Sequence, residues 1–197
     1  MGSLYEKSLQ LRKLSSHKGS LASFVSADPL VEIIAYCLNP NHYHLILKQV
    51  SERGIEKFMH KVSTGYTNYF NKKNERSGSL FQGPFKAIHV DSNEYLLYLS
   101  AYVNRNHFIH SYEDKGAKLP NGSLAPLDGW KYCSAPDYLG KRSGTLCNKD
   151  VVLGQFEDWK LSSPFGSLAS SMAYEKFLED NALYLKGKKL AVRYCLE

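Results

Sequence analysis

Nowhere in the 197 residues is there a run approaching the ~18 uninterrupted apolar residues of a membrane-spanning helix, so no membrane partner is expected. The N-terminus carries no basic, apolar and small-residue succession of the kind that directs secretion. Cysteine is scarce: Cys37, Cys133, Cys147 and Cys195 lie far apart, with no CxxC spacing. That scatter argues against a zinc knuckle or a disulfide framework and for a reducing, cytoplasmic location. No internal repeat and no long low-complexity tract is present, which argues against a solenoid or an array.

Acidic side chains are the scarcer charge, 19 Asp and Glu against 25 Lys and Arg, for a formal net charge of +6. Such a balance favours a polyanionic partner without requiring one. Aromatic residues, in contrast, are abundant, with 14 tyrosines. Rings interleaved with basic residues suit single-stranded nucleic acid, whose unstacked bases can lie on them. Tyrosines fill cores and interfaces equally well, so composition leaves both readings open.

The pattern along the chain is that of an α+β protein. A short helix over 4–14 and a loop over 19–29 open it. Val31–Leu38 (VEIIAYCL) has the β-branched and aromatic content of a strand. It should pair antiparallel with 42–49 (HYHLILKQ) across the Asn39-Pro40-Asn41 turn, and the order of elements predicts an antiparallel sheet with helices on one face. Apolar residues at helical spacing from Ile55 to Phe70 predict a helix over 54–72, running into the basic segment Asn71–Arg76. Phe85–Val90 (FKAIHV) alternates like a further strand. A helix over 93–106 follows, capped by Asp91 or Ser92. A polar connection over 107–126 leads to a region with short helices in 127–140, 151–161 and 171–186.

Two residue pairs carry candidate chemistry. On a strand His42 and His44 share a face, where two imidazoles can grip one metal ion or can simply be solvated. On the helix over 93–106, Leu96, Leu99 and Val103 form an apolar stripe, and Tyr95, Tyr98, Tyr102 and Asn106 form another beside it. Tyr102 and Asn106 are adjacent at i, i+4. A packed aromatic and a helix C-cap are the plainer reading of those two residues.

PNHYHLIL (residues 40–47), followed by GYTNYFNKKNERSGSLFQGPFKAIHVDSNEYLLYLSAYVNRN (residues 65–106), resembles the single-tyrosine HUH transposases, in particular the REP-associated branch. The likeness runs from about Val31 to Asn106 and more weakly to Tyr138. YVNRN stands where that branch more often has YIHLN, and residues 1–29 show no counterpart to the family's first strand. The resemblance implies a ferredoxin-like HUH endonuclease fold over residues 1–118, with a C-terminal, mostly helical extension over 119–197 packed on it.

It also implies a division of roles. Tyr102 would be the nucleophile, and His42, His44 and Asn106 the ligands of a divalent metal, Mg²⁺ or Mn²⁺. The expected activity is metal-dependent cleavage and strand transfer of single-stranded DNA through a 5′-phosphotyrosine, on hairpin-bearing DNA and by a homodimer. Lys72, Lys73, Arg76 and Lys86 are the expected phosphate contacts. Two other readings stand beside this one: a relative that binds structured single-stranded DNA without cutting it, and a metal hydrolase unrelated to DNA that uses His42 and His44 with a water nucleophile.

Overall fold

The structure is a computed structural model, and it describes residues 28–115, 130–156 and 168–187. The helix predicted over 4–14 and most of the loop over 19–29 lie outside those residues, as do 157–161 of the helix predicted over 151–161. Strands β1 (Val31–Leu38) and β2 (Tyr43–Gln49) pair antiparallel, from Val31 opposite Gln49 to Leu38 opposite Tyr43, with an irregularity between Ile33 and Ala35. The turn closes with the Asn39 amide donating to the His42 carbonyl at 2.9 Å. Helix α1 (Gly54–Lys73) begins at a glycine for a local reason: a side chain at Gly54 would run into the Leu30 carbonyl oxygen.

Phe85–Val90 is not a strand. Its residues from Phe85 to His89 are exposed, and no described strand pairs with them. Alternation of apolar and polar residues marks only a capacity for β structure, and the ladder itself needs an edge to pair with. Helix α2 (Asn93–Lys115) runs well past the expected end at Asn106, so the polar connection cannot begin at His107. His107–Lys115 contains neither glycine nor proline, and the first glycine is Gly116. Of the two predicted caps, Ser92 serves: its Oγ accepts from the Tyr95 amide at 3.2 Å.

Every residue from Leu99 to Asn106 is buried, including Ser100, Asn104 and Arg105. A helix buried on all sides must be covered on more than the sheet face. The further cover comes from α3 (Ala135–Tyr138), α4 (Asp150–Leu153), a 3₁₀ turn at Gly154–Phe156, and α5 (Leu168–Gly187). Tyr138, Tyr174, Val152 and Leu178 join Leu99 and Val103 in one apolar core. A chain of buried hydrogen bonds ties these elements together. Ser134 Oγ donates to Asn104 Oδ1 (2.6 Å), Asn104 Nδ2 to Tyr174 Oη (2.8 Å), and Tyr174 Oη to Ser100 Oγ (3.0 Å).

The outer edge of β1 is sealed by the same late segment. Leu38 N donates to Tyr132 O and Ser134 N to Tyr36 O, each at 2.9 Å, while Asn148 N donates to Ile33 O at 2.8 Å. Cys133 lies opposite Cys37, and Cys147 beside Ile33. Arg142 fixes this segment: its guanidinium grips the buried Asp137 carboxylate (2.6 and 2.7 Å) and reaches Tyr36 Oη (3.0 Å) and the Cys133 carbonyl (2.7 Å).

The two faces of β2 meet different partners. Tyr43 meets Phe81 edge-on, and Phe81 in turn meets Tyr66 of α1. The next residue, His44, points the opposite way and meets Tyr102 of α2. The period-2 geometry of β2 thus separates an aromatic side from a polar one.

Candidate active site

The polar side of β2 is where the sequence candidates converge. His42 and His44 project from one face, with their rings edge-on at a centroid separation of 5.1 Å. His44 is also edge-on to Tyr102, centroid to centroid 5.5 Å. One helical turn after Tyr102, the fully buried Asn106 presents its Oδ1 to His42 Nε2 at 3.3 Å. A turn of helix and one strand pleat therefore bring together four side chains from positions 42 to 106. Tyr95 and Tyr98, on the same helix, stack instead on each other at 6.5 Å.

The turn adds two asparagines that the sequence reading treats only as turn formers. Asn41 Oδ1 lies 2.7 Å from His42 Nδ1, and Asn39 Nδ2 lies 2.8 Å from His42 Nε2. Nδ2 can only donate, so Nε2 is the acceptor, and Nδ1 carries the hydrogen and donates to Asn41. Asn41 thus holds His42 in the tautomer whose Nε2 lone pair faces Asn106. Asn39 Nδ2 also donates to Asn106 Oδ1 at 2.6 Å. Asparagine is so common in turns that its presence beside Pro40 signals nothing further, and these roles emerge only with the helix in place.

Burial raises the Tyr102 phenol above its usual pKa, the nearby Asn106 amide pulls it partly back, and the Cys37 thiol adds a small push upward. Cys37, opposite His44 in the sheet, is itself pushed up to about 12, mainly by burial. Both groups are accordingly protonated at neutral pH.

The donor set bears on whether a divalent ion fits. Among the described residues no group of three or more His, Cys, Asp or Glu is arranged for a metal, so any site here depends on an amide oxygen. His42 Nε2 and Asn106 Oδ1 are lone-pair atoms 3.3 Å apart. Adjacent ligands of an octahedral ion held at about 2.1 Å are separated by about 3.0 Å. Two neutral acceptors aimed at one point, with His44 alongside, suit a cation. A mixed N/O set of this kind suits Mn²⁺ or Mg²⁺, with imidazole favouring Mn²⁺.

The expected phosphate contacts do not join this cluster. Lys72, Lys73, Arg76 and Lys86 are exposed. Lys73 Nζ lies 5.8 Å from the Tyr69 ring centroid and the Arg76 guanidinium 5.6 Å from that of Phe70, beside the exposed Tyr66 and Tyr69. Three of the four cations thus gather at the C-terminal end of α1, among aromatic rings that continue through Phe81 to Tyr43.

Compared with models of protein families, residues 4–106 match the one described as "Transposase IS200 like". No curated protein and no solved structure matches the chain. The match stops at Asn106 and takes in residues 4–30, which the sequence reading leaves outside the resemblance. Whether that segment supplies a first strand lies outside the described residues.

Proposed function

The chain belongs to the IS200-like transposase family, and from that premise we propose that it cleaves and rejoins single-stranded DNA with Tyr102 as nucleophile. His42, His44 and Asn106 would hold Mg²⁺ or Mn²⁺, which when bound supplies charge neutralisation at the scissile phosphate. The observation that carries the reading is the meeting of Tyr102 with His44, and of Asn106 with His42, across two elements. In this reading the two-stranded sheet with its helices is the core of a ferredoxin-like HUH fold over residues 1–118, and 119–197 is an extension that packs on it.

Each residue has a task. The Tyr102 hydroxyl oxygen attacks phosphorus, the bond from phosphorus to the 3′ oxygen breaks, and that oxygen leaves as a 3′-OH after taking a proton. The product is a 5′-phosphotyrosine on Tyr102. Because the ester keeps the energy of the original bond, a second 3′-OH can attack it and return the phenol, joining new ends without ATP. An ordinary phenol is only about 0.1% ionised at pH 7, and burial lowers that fraction for Tyr102. The phenol proton must therefore leave during attack rather than before it. Asn41 keeps His42 in the productive tautomer, and Asn106 steadies the phenol from one turn away.

The aromatic and basic end of α1 fits a single strand better than a duplex, since rings can stack on splayed bases while Lys72, Lys73, Arg76 and Lys86 meet phosphates. Hairpin-bearing DNA and a homodimer complete the proposal. The test is to incubate the protein with labelled hairpin-bearing single-stranded DNA and Mn²⁺ and to look for an adduct that survives denaturation. Peptide mapping is expected to find it on Tyr102. Tyr102→Phe should abolish it, whereas Tyr95→Phe and Tyr98→Phe keep it. An adduct on another tyrosine, or none with any such substrate, would refute the assignment.

A further inference from the structure

The turn between the strands holds one side chain that the chemistry above leaves unused. The Asn39 carboxamide lies between His42 and Asn106, with Nδ2 at 2.6 Å from Asn106 Oδ1 and 2.8 Å from His42 Nε2. With the 3.3 Å between the latter two, these three atoms form a compact triangle. Cis ligands of an octahedral ion, about 3.0 Å apart, have the dimensions of this triangle. Two of its corners are lone-pair atoms. The third is an NH₂ group, whose hydrogens supply the positive charge that those lone pairs face.

An amide is nearly symmetric in shape, and its terminal torsion is broad and roughly two-fold, so oxygen can occupy the position of nitrogen with little displacement. Turned over, Asn39 would aim a third lone pair at the same point. Three acceptors with no donor among them would repel, so the turn is unfavourable without a cation and favourable with one. The surroundings accept either orientation. Asn39 Oδ1 now lies 3.6 Å from Cys37 Sγ, and a thiol can donate weakly to that oxygen or accept weakly from a nitrogen in its place.

We propose that Asn39 is a further metal ligand. Its Nδ2 bridges His42 and Asn106; with Mn²⁺ or Mg²⁺ bound the carboxamide would turn over and Oδ1 would join His42, His44 and Asn106. The inference rests on the reading of these three residues as a metal site. It differs in consequence from a purely structural bridge. A bridging donor competes with the ion, so its removal would help binding, whereas removal of a ligand weakens binding.

The test is a titration of the full chain with Mn²⁺ alone, without DNA, following the loss of the free-ion electron paramagnetic resonance signal. Circular dichroism and a melting curve establish that each variant is folded. Wild type is expected to bind and His42→Ala to lose binding. Asn39→Ala should weaken affinity about tenfold or more. Asn39→Asp keeps an oxygen at the same place, adds charge and should bind at least as tightly as wild type, while Asn39→Gly, which a turn tolerates, should weaken affinity like the alanine variant and decides the matter if that one fails to fold. Wild-type or tighter binding by folded Asn39→Ala, or loss of binding by folded Asn39→Asp, overturns the ligand role while leaving the histidine site standing. Absence of binding by wild type, or full binding by His42→Ala, overturns the site itself and this inference with it.

Discussion

Asn104 offers a direct measure of what holds the tyrosine helix in position. It lies two residues from Tyr102, is 4% exposed, and links three elements by accepting from Ser134 Oγ and donating to Tyr174 Oη. Replacing it with alanine removes both bonds at about 1–1.5 kcal/mol each. The partners are not left orphaned. Ser134 Oγ can still donate to Tyr36 O at 3.2 Å, and Tyr174 Oη keeps its bond to Ser100 Oγ. The full penalty for burying unsatisfied groups therefore does not apply, and the expected loss is about 2–3 kcal/mol. In a chain of this size that lowers the melting temperature by about 5–10 °C. Urea denaturation of Asn104→Ala, Tyr174→Phe and the double variant supplies the assay. The two single losses should exceed the double loss by at least about 0.5 kcal/mol, because the variants share a bond. A loss below about 0.5 kcal/mol for Asn104→Ala, or strict additivity, would refute the claim that this network clamps α2.

Three further outcomes follow from the same geometry. Cys37, Cys147 and Tyr174 are each pushed up to about 12 by burial, so the fold favours their neutral forms. Their contribution is complete below the free-thiol range near about 8.5 and is lost as pH rises toward 12, so urea midpoints between pH 7 and 11 should fall above pH about 9; a flat profile would contradict the burial. Asp137→Ala removes the carboxylate from an Arg142 guanidinium that is partly exposed and keeps the Tyr36 Oη and Cys133 carbonyl contacts, so it should cost about 1–3 kcal/mol in the same denaturation assay, with a loss near zero refuting the staple. Lys72→Ala together with Lys73→Ala should reduce the slope of log affinity for single-stranded DNA against log salt by about 1.4, and an unchanged slope would mean that these lysines meet no phosphate.

What the sequence discloses depends on the range of the interaction responsible. The β1–β2 hairpin is legible because composition and the turn at Pro40 are local, and α1 because its stripe repeats at helical spacing. His42, His44, Tyr102 and Asn106 are legible as a set through motif order, and their convergence follows from the strand pleat and one helical turn. Phe85–Val90 misleads because its alternation is local while strand pairing is not. Helix α2 is underestimated because it continues through residues of weak propensity until Gly116. The roles of Asn39 and Asn41, and the sealing of β1 by residues about a hundred positions later, involve no repeating pattern at all. They arise from contacts that only the assembled fold defines.

The seal on β1 also has a consequence for the order of events on the ribosome. Tyr36 N donates to the side chain of Ser134, 98 residues further on. At about 5–20 residues per second, the strand waits about 5–20 s for the edge partner that will cover it. During that interval the nascent hairpin presents an open, hydrogen-bonding margin with Cys37 and Tyr36 at its centre, available to chaperones or to a neighbouring nascent chain on the same messenger. Asn104 waits a shorter stretch, 30 residues for Ser134 and 70 for Tyr174. The tyrosine helix thus acquires its clamp only once Tyr174 has been made, and a truncated product that stops before residue 130 would carry every candidate active-site residue on an incompletely covered helix.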